Sequence, residues 1–386
     1  MRITIWILTL VLVATLTVAA GQATAPQEQD FLGPLKRFSQ VLDLVEDHYV
    51  RPVSREDLIN GAIEGMLQRL DPHSTFMNKD DFKEMQISTQ GEFGGIGIEI
   101  TLQNGRLTVI SPIEDTPAYK AGMKAGDIIL EIDGQPTQDI TLTEAVKKIR
   151  GPKGTKVELT ILHKGENKPD KVSLVRDTIP IKSAKSETLE DGYLYLRLTR
   201  FNENTTDEMR KLIKKAGGKA ALKGVVLDLR NNPGGLLDQA VSVADAFLPA
   251  GTVVYIQGRD ASSRKDFNAK TQAEDIDAPM VVLINAGSAS ASEIVAGALQ
   301  DRDRALLLGE KTFGKATVQP VIPLSDESGI KLTTALYYTP KGRSIQAQGI
   351  EPDMVVPFEA PRDDDGKPSL GVVREEDLSG HIENQN

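Results

Sequence analysis

Residues 281–319 read VVLINAGSASASEIVAGALQDRDRALLLGEKTFGKATVQ, and this stretch determines how the rest of the chain is interpreted. It opens with the apolar, β-branched run 281–284, which predicts a buried strand. A break at 285–287 follows, and residues 288–293 then begin a predicted helix with apolar residues on one face. Ser290 therefore stands at a turn from strand to helix.

A serine at such a turn has two possible roles. As a cap, Ser290 would pair with Glu293 three residues later in a capping box, in which each side chain satisfies a free backbone N–H. As a nucleophile, its hydroxyl would stand at a helix N-terminus, where backbone amides stabilise a developing oxyanion. The pattern of residues leaves both roles open.

A serine hydroxyl is a poor nucleophile unless a base takes its proton. Lys315 follows Ser290 by 25 residues and stands between Gly314 and Ala316, where little side-chain bulk allows close approach. A lysine acts as a base only if burial lowers its pKa toward the working pH. Composition by itself favours an ordinary surface lysine at this position.

The run GSASASEI at 287–294, followed by Gly314-Lys315 and Gln319, resembles the carboxyl-terminal processing peptidases, also called tail-specific proteases. The resemblance extends from about residue 30 to residue 357. It implies that Ser290 is the nucleophile, that Lys315 is the general base and that Gln319 orients the lysine. It also implies a mixed α/β fold, in which a ClpP/crotonase-like serine protease core at 169–360 carries an inserted PDZ domain and an N-terminal helical region.

Composition excludes several other classes of function. The chain has 386 residues and a net charge of −10, which argues against a nucleic-acid partner. It contains no cysteine, so disulfide scaffolds, thiol catalysis and cysteine-based metal sites are excluded. The histidines lie far apart without metal-ligand spacing, and neither a metal nor a cofactor is expected. They are predicted to be ordinary surface or core residues: His48, His73, His163 and His381.

The N-terminus predicts export. Met1-Arg2 precedes an apolar run at 3–20, which is typical of a secretory signal peptide cleaved after Ala20 or, less well, after Ala25. An uncleaved membrane anchor is the alternative. The predicted location is periplasmic or otherwise extracytoplasmic.

Residues 26–90 form a predicted helical region. Apolar residues recur at helical steps on both sides of Pro52, and Asp71-Pro72-His73-Ser74 predicts a turn that ends the second helix. The resemblance implies that this region packs on the core and mediates self-association. A plain helical subdomain fits the residues equally well.

Residues 91–168 resemble a PDZ domain. A glycine-rich turn joins an alternating strand, and Asn104-Gly105 predicts a hairpin. The resemblance implies that the turn's amides hold a peptide C-terminus while the peptide adds as a strand; a small β-domain with a structural glycine turn is the alternative. Arg150 occupies the position where some members of the family couple the PDZ domain to protease activity. The predicted peptide-binding residues are Gly94, Gly95, Ile96, Gly97 and Ile98.

The predicted strand 225–229 runs into RNNPGG at 230–235, a turn whose amides can face a ligand. The resemblance implies one oxyanion donor from Gly234 or Gly235 and a second from the N–H of Ala291. A plain strand-to-helix turn is the alternative. Residues 309–316 nearly match the phosphate-binding pattern GxxxxGK[ST], but Ala316 replaces the required hydroxyl and no helix is predicted to follow. Nucleotide binding is therefore rejected.

Residues 361–386 are polar and acidic, which predicts a flexible, solvated tail. The resulting hypothesis is an exported serine endopeptidase that cuts proteins near their C-termini, with substrate tails as partners and activity gated by the PDZ domain. An activating adaptor protein is a further possible partner. The alternative is an exported, non-catalytic PDZ scaffold that only binds peptides.

Overall fold

The structure, a computed structural model, describes residues 32–357 and 373–384. The predicted signal peptide at 1–20 lies outside the described residues. The chain divides into two compact units, residues 1–65 and 66–386.

Helices and strands alternate along much of the described chain. The helices are α1 Leu32–His48, α2 Arg55–Gln68, α3 Lys79–Gln90, α4 Pro117–Lys120, α5 Leu142–Ile149, α6 Thr205–Lys215, α7 Leu237–Asp245 and α8 Ala291–Asp301, with 3₁₀ turns at Lys219–Ala221, Ala261–Ser263 and Glu375–Asp377. The strands are β1 Thr75–Met77, β2 Glu92–Gly95, β3 Ile98–Gln103, β4 Arg106–Pro112, β5 Ile128–Ile132, β6 Gln135–Pro136, β7 Lys156–Leu162, β8 Asp170–Val175, β9 Asp177–Pro180, β10 Ala184–Glu190, β11 Tyr193–Leu198, β12 Gly224–Asp228, β13 Gly251–Gly258, β14 Lys265–Ala269, β15 Met280–Ile284, β16 Leu306–Gly309, β17 Thr317–Val318, β18 Val321–Pro323, β19 Gly329–Lys331, β20 Ala335–Tyr338 and β21 Met354–Val355.

The first unit contains α1 and the start of α2, which confirms the predicted helices on either side of Pro52. Arg55 links them, because its guanidinium donates to Asp43 Oδ1 at 2.7 Å and to Glu46 Oε2 at 2.7 Å. α1 buries none of its residues. Its apolar face remains exposed: Leu32, Leu35, Phe38, Val41 and Leu44.

A six-stranded sheet organises the second unit, in the order β10-β11-β12-β15-β16-β21. β11, β12, β15, β16 and β21 run parallel, and β10 is antiparallel at one edge. The inner strands are nearly continuous apolar runs, as expected for parallel strands covered on both faces. Their side chains join those of α7 and α8 in one core. Because β12 and β15 are parallel neighbours, the turns that follow them meet at the same edge of the sheet.

The predicted PDZ region has its own sheet, in the order β3-β4-β5-β7-β8, and its own core. Asn104 and Gly105 have φ of 52° and 73°, which is the geometry of the predicted two-residue hairpin. The sheet extends beyond residue 168, because β8 pairs along the whole of β7. Its polar sequence, DKVSLV, carries little strand signal, so the sequence-based boundary falls one strand short.

The chain enters and leaves this region through a two-stranded ribbon. β2 pairs antiparallel with β9, and Gly94 lies opposite Thr178. The two connections therefore lie side by side, as expected for a domain inserted into a loop of another. The mixed α/β architecture with an inserted domain is confirmed.

Three expectations need correction. α3 is a separate helix that the sequence did not distinguish, capped by Asn78 Oδ1, which accepts from the N–H of Asp81 at 3.0 Å. The pattern of residues 331–338 is that of one strand, but these residues contribute to two strands, β19 and β20, in different sheets. Residues 373–384 are not a solvated tail, because the Glu375 side chain is completely buried against the rest of the unit.

Candidate active site

Ser290 occupies a strained turn between β15 and α8. Its φ of +54° and ψ of −113° lie outside the regions that a non-glycine residue normally adopts. Gly234 packs directly against it, since a Cβ on Gly234 would lie 2.9 Å from Ser290 Cβ. The Ser290 N–H donates to Glu293 Oε2 at 2.8 Å, whereas the N–H of Glu293 donates to the carbonyl of Ser290, not to its hydroxyl, at 2.8 Å. Glu293 therefore caps this helix, and the Ser290 hydroxyl is left for other chemistry.

The turn that holds Ser290 is cross-linked to the turn after β12. Asn285 Oδ1 accepts from the N–H of Asn231 at 2.9 Å, and Asn285 Nδ2 donates to Asn231 Oδ1 at 2.9 Å. Ser288 Oγ donates to the carbonyl of Leu229 at 2.8 Å. These bonds hold the glycine turn at 234–235 beside Ser290.

The two glycines of that turn are not equivalent. The N–H of Gly234 is occupied, because it donates to Asn232 Oδ1 at 2.9 Å. The N–H groups of Gly235 and Ala291 have no acceptor among the described residues. Both residues line a cleft of about 910 Å³ together with Ser290. Gly235 and Ala291, rather than Gly234, thus present free donors beside the serine.

The buried carboxylate of Glu293 joins Ser290 to Lys315. It accepts from the N–H of Ser290 at 2.8 Å and from the N–H of Lys315 at 3.0 Å. It also accepts from Thr312 Oγ1 at 2.5 Å and from the N–H of Gly314 at 2.8 Å. Burial raises the pKa of Glu293 to about 7, and these four donors act against that shift.

Tyr337 forms a second bridge between the same two residues. Its buried hydroxyl lies 2.6 Å from the carbonyl oxygen of Lys315 and 3.0 Å from that of Ser290, so it can donate to either. The backbones of the serine and the lysine are thereby tied together at two points, through Glu293 and through Tyr337.

The environment of Lys315 fits a base. Burial is the main cause that lowers the pKa of Lys315 below the ordinary lysine value of 10.5. The carboxylate of Glu375 opposes this shift, Lys331 adds to it, and Asp71 and Glu293 oppose it. The lysine is therefore drawn toward its neutral form, although three carboxylates surround it.

The side chains of the predicted dyad are not hydrogen-bonded in this structure. Within residues 32–357 and 373–384, no hydrogen bond joins Ser290 Oγ to Lys315 Nζ, or Gln319 to Lys315. Instead, Gln319 Nε2 donates to Thr333 Oγ1 at 3.1 Å, and Thr333 Oγ1 donates to Asp71 Oδ1 at 3.1 Å. The structure thus brings the backbones of Ser290 and Lys315 together, while Gln319 is bonded to Thr333.

Sequence reasoning missed several residues of this site. Glu293 was considered only as a cap, and Tyr337 only as part of a strand. The turn Asp71-Pro72-His73-Ser74 was considered only as the end of a helix, although Asp71 reaches Thr333 beside Gln319. A charged residue in a turn can be recognised as part of a site only when its hydrogen-bond partners are known. Here those partners are distant in sequence, as Thr333 is from Asp71.

The cleft beside Ser290 has both apolar and polar walls. α3 contributes side chains to its wall, and so do the turn before α7 and strands β13, β14 and β17. Its apolar members include Phe82, Met85, Leu236, Ile256, Phe267 and Val318.

A second, small groove of about 80 Å³ lies in the predicted PDZ region, between β3 and α5. β3 is an edge strand, so its outer side is open to strand addition. The N–H groups of Ile96 and Gly97 have no acceptor among the described residues. Arg150 lines the groove, with its guanidinium 4.5 Å from the centre of the Phe93 ring and 2.7 Å from Glu84 Oε1.

Three other functions were tested against the structure: metal binding, membrane crossing and phosphate binding. In the described part of the chain, no group of histidine and acidic side chains could hold a metal ion, and no helix could cross a membrane. Residues 309–316 follow β16 and lead into β17, not into the helix that a phosphate-binding loop requires.

Comparison with known proteins identifies the family. The model of peptidase family S41 matches residues 192–356, a PDZ domain model matches 108–162, and the model of the N-terminal domain of the activating protease CtpB matches 13–81. The chain is 48% identical over 372 residues to the carboxy-terminal-processing protease of Bartonella bacilliformis, which covers 96% of this chain and 85% of the relative. It is 40% identical to the carboxyl-terminal-processing protease of Synechocystis, over 81% of this chain and 74% of the relative.

A solved structure of a photosystem II D1 C-terminal processing protease is 31% identical and covers 89% of this chain and 97% of its own, with a TM-score of 0.48. The identities of the two curated relatives extend over most of the chain and confirm the resemblance predicted from residues 287–319. The chain therefore belongs to the carboxy-terminal processing proteases of peptidase family S41, which are serine proteases with a PDZ domain.

Proposed function

We propose that Ser290 and Lys315 form the catalytic dyad of this protease. Neutral Lys315 Nζ takes the proton of Ser290 Oγ as the oxygen attacks the scissile carbonyl carbon. The N–H groups of Gly235 and Ala291 stabilise the oxyanion, and the lysine then passes its proton to the leaving amine. Water hydrolyses the acyl-enzyme with Lys315 again acting as base, and Gln319 orients the lysine.

The observation that supports this proposal most strongly is the double bridge between the two residues. Glu293 and Tyr337 tie the backbones of Ser290 and Lys315, while burial lowers the pKa of Lys315. The Glu293 carboxylate, called here the carboxylate hub, accepts from the N–H groups of both residues. A lysine with only a structural role would not need to share this hub with a strained serine. Rotation of the lysine and serine side chains into contact completes the dyad.

The test is labelling with a fluorophosphonate, which reacts only with an activated serine. We expect Ser290→Ala and Lys315→Ala to abolish both labelling and cleavage of a protein with an unstructured C-terminus. Lys341→Ala is the matched control, because this lysine is exposed and only 3.9 Å from Asp303 in a weak surface pair. Full activity of Lys315→Ala would refute the dyad. Labelling of the wild type would also exclude the non-catalytic scaffold.

We also propose that the groove of the PDZ domain binds substrate C-termini and that Arg150 gates activity. The free amides of Ile96 and Gly97 are suited to a terminal carboxylate. A carboxylate in the groove would compete with Glu84 for Arg150. Glu84 lies on α3, whose Phe82 lines the catalytic cleft. Loss of the ion pair would therefore free α3 to move and would change the wall of the cleft.

This gate predicts a clear difference between two variants. A C-terminal peptide should accelerate fluorophosphonate labelling of the wild type. Glu84→Gln should raise the rate without peptide, because it weakens the contact that holds Arg150, whereas Glu64→Gln on α2 should not. An unchanged dependence on peptide in Glu84→Gln would contradict the gating role of this ion pair.

The exposed apolar face of α1 supports self-association through a second copy of this chain. It presents Leu35, Phe38 and Val41, each about half exposed or more, along one stripe. Sedimentation should show a dimer that Phe38→Asp dissociates; an unchanged oligomeric state in that variant would argue against this face. We further propose that the chain is exported and that an adaptor protein activates it. Mass spectrometry of the chain recovered from the cell envelope would locate the N-terminus of the exported form.

A further inference from the structure

Residues 374–377, called here the C-terminal clasp, hold the loop that carries the catalytic lysine. Arg374 Nη1 donates to the carbonyls of Lys311 at 2.6 Å and of Thr312 at 2.9 Å. The N–H of Glu375 donates to the carbonyl of Phe313 at 3.1 Å. Three successive residues of the lysine loop are thus bonded to a segment about 60 positions away in sequence.

The carboxylate of Glu375 is the buried centre of the clasp. Its Oε1 accepts from Gln346 Nε2 at 2.9 Å, and Gln346 Oε1 accepts from the N–H of Ala316 at 2.8 Å. His73 Nε2 lies 2.7 Å from Glu375 Oε2, on the side toward the turn at 71–74. Glu375 and Gln346 are both completely buried.

The hydrogen bonds from Glu375 through Gln346 end at Ala316, next to Lys315. Because Gln346 gives its amide N–H to Glu375, its carbonyl oxygen must face Ala316, the residue that follows Lys315. Tyr337, which holds the carbonyl of Lys315, also gives its backbone N–H to Ala316 at 2.9 Å. A buried carboxylate is costly to keep unless it is paired or fully hydrogen-bonded, as Glu375 is here by Gln346 and His73.

We propose that Glu375 is a positioning residue for Lys315: through Gln346 it fixes the backbone on one side of the lysine, and its charge faces the amine. The proposal rests on the proposed role of Lys315 as base. It assigns a catalytic purpose to a segment that is far from the dyad in sequence. The acidic tail therefore includes part of the active site.

The charge of Glu375 gives a readout that a merely structural residue would not. The charged groups facing Lys315 are Glu375, Asp71 and Glu293, which raise its pKa, and Lys331, which lowers it. Glu375→Gln keeps an oxygen that can accept from Gln346 but removes one negative charge. The pKa of Lys315 should then fall, and the acid limb of the pH profile should move to lower pH.

The experiment measures fluorophosphonate labelling of Ser290 in the full chain as a function of pH. We expect Glu375→Ala to slow labelling about 100-fold, since loss of the Gln346 contact misplaces the lysine loop. Glu375→Gln should stay active, with its acid limb displaced to lower pH. Glu158→Gln is the matched control, because that side chain is half exposed, lies on β7 of the PDZ sheet and pairs at 3.3 Å with Lys171, and it should behave as wild type.

The outcomes separate this proposal from the proposed function. An acid limb of Glu375→Gln that coincides with those of wild type and Glu158→Gln would overturn the role of Glu375 and leave the dyad in place. If Glu375→Ala fails to fold, the glutamine variant still decides. Labelling of Lys315→Ala at the wild-type rate would overturn both the dyad and the role of Glu375.

Discussion

The hydroxyl of Tyr337 offers the sharpest single test of how the dyad is held. In Tyr337→Phe the ring and its packing remain, and only one oxygen is removed. The carbonyl of Ser290 keeps the N–H groups of Glu293 at 2.8 Å and Ile294 at 3.0 Å. The carbonyl of Lys315 has no other donor among the described residues, so it is left buried and unpaired.

An unpaired buried carbonyl costs about 1–3 kcal/mol. We therefore expect the free energy of unfolding of Tyr337→Phe to fall by about 2 kcal/mol, measured by urea unfolding with circular dichroism. Because one of the two bridges between the serine and the lysine is lost, kcat should fall by about 10- to 100-fold.

Tyr338→Phe is the matched control for this prediction. Tyr338 neighbours Tyr337 in β20, but its ring stacks on Tyr255 with 4.9 Å between centroids, and its hydroxyl bonds to no described residue. This variant should keep both stability and kcat. Wild-type kcat in Tyr337→Phe, alongside the expected loss of stability, would refute the idea that the bridge positions the dyad.

Three further predictions concern the same site. The acid limb of kcat/KM should reflect protonation of Lys315 and lie below pH 10.5, since burial lowers its pKa; Lys315→Arg, which stays charged, should be inactive across that range. Gly235→Ala should lose at least about 100-fold in kcat, because its Cβ would lie 2.1 Å from the Phe201 carbonyl oxygen and displace the oxyanion donor; activity near wild type would exclude this amide as a donor. Glu293→Gln should lower the free energy of unfolding by about 3 kcal/mol, measured in urea, because an amide NH₂ cannot accept the donors that face the carboxylate; an unchanged value would show that the hub is dispensable.

Much of the fold could be predicted because local patterns and tertiary structure agree there. The apolar run before Ser290 and the hairpin at Asn104-Gly105 both appear where periodicity and turn residues predict them. α3 lies within the region predicted to be helical but was not distinguished as a separate helix, because its sequence, KDDFKEMQISTQ, is largely polar and its apolar face is short. The boundary beyond residue 168 was missed for a similar reason, since β8 depends on its neighbour β7 more than on its own residues.

The candidate site divides in the same way. The sequence pointed to Ser290, Lys315 and the glycine turn, because each stands in a motif whose chemistry is local. It left Gly234 and Gly235 unresolved, and the structure favours Gly235, since Asn232 occupies the other amide. That distinction depends on where one side chain points, which no motif specifies.

What the sequence determined by itself is the family, because short-range patterns carry that information, and the same patterns named Ser290 and Lys315 as the candidate reacting side chains. Only the tertiary structure decided how the base is buried, which amides stay free and which distant carboxylates surround the lysine. Burial and hydrogen-bond partners are properties of the folded chain: Asp71 and Glu375, about 300 residues apart, meet beside Lys315 only after the sheet and the clasp have formed. The chemistry of the lysine is set by those long-range neighbours, and residues near it in sequence provide only its position.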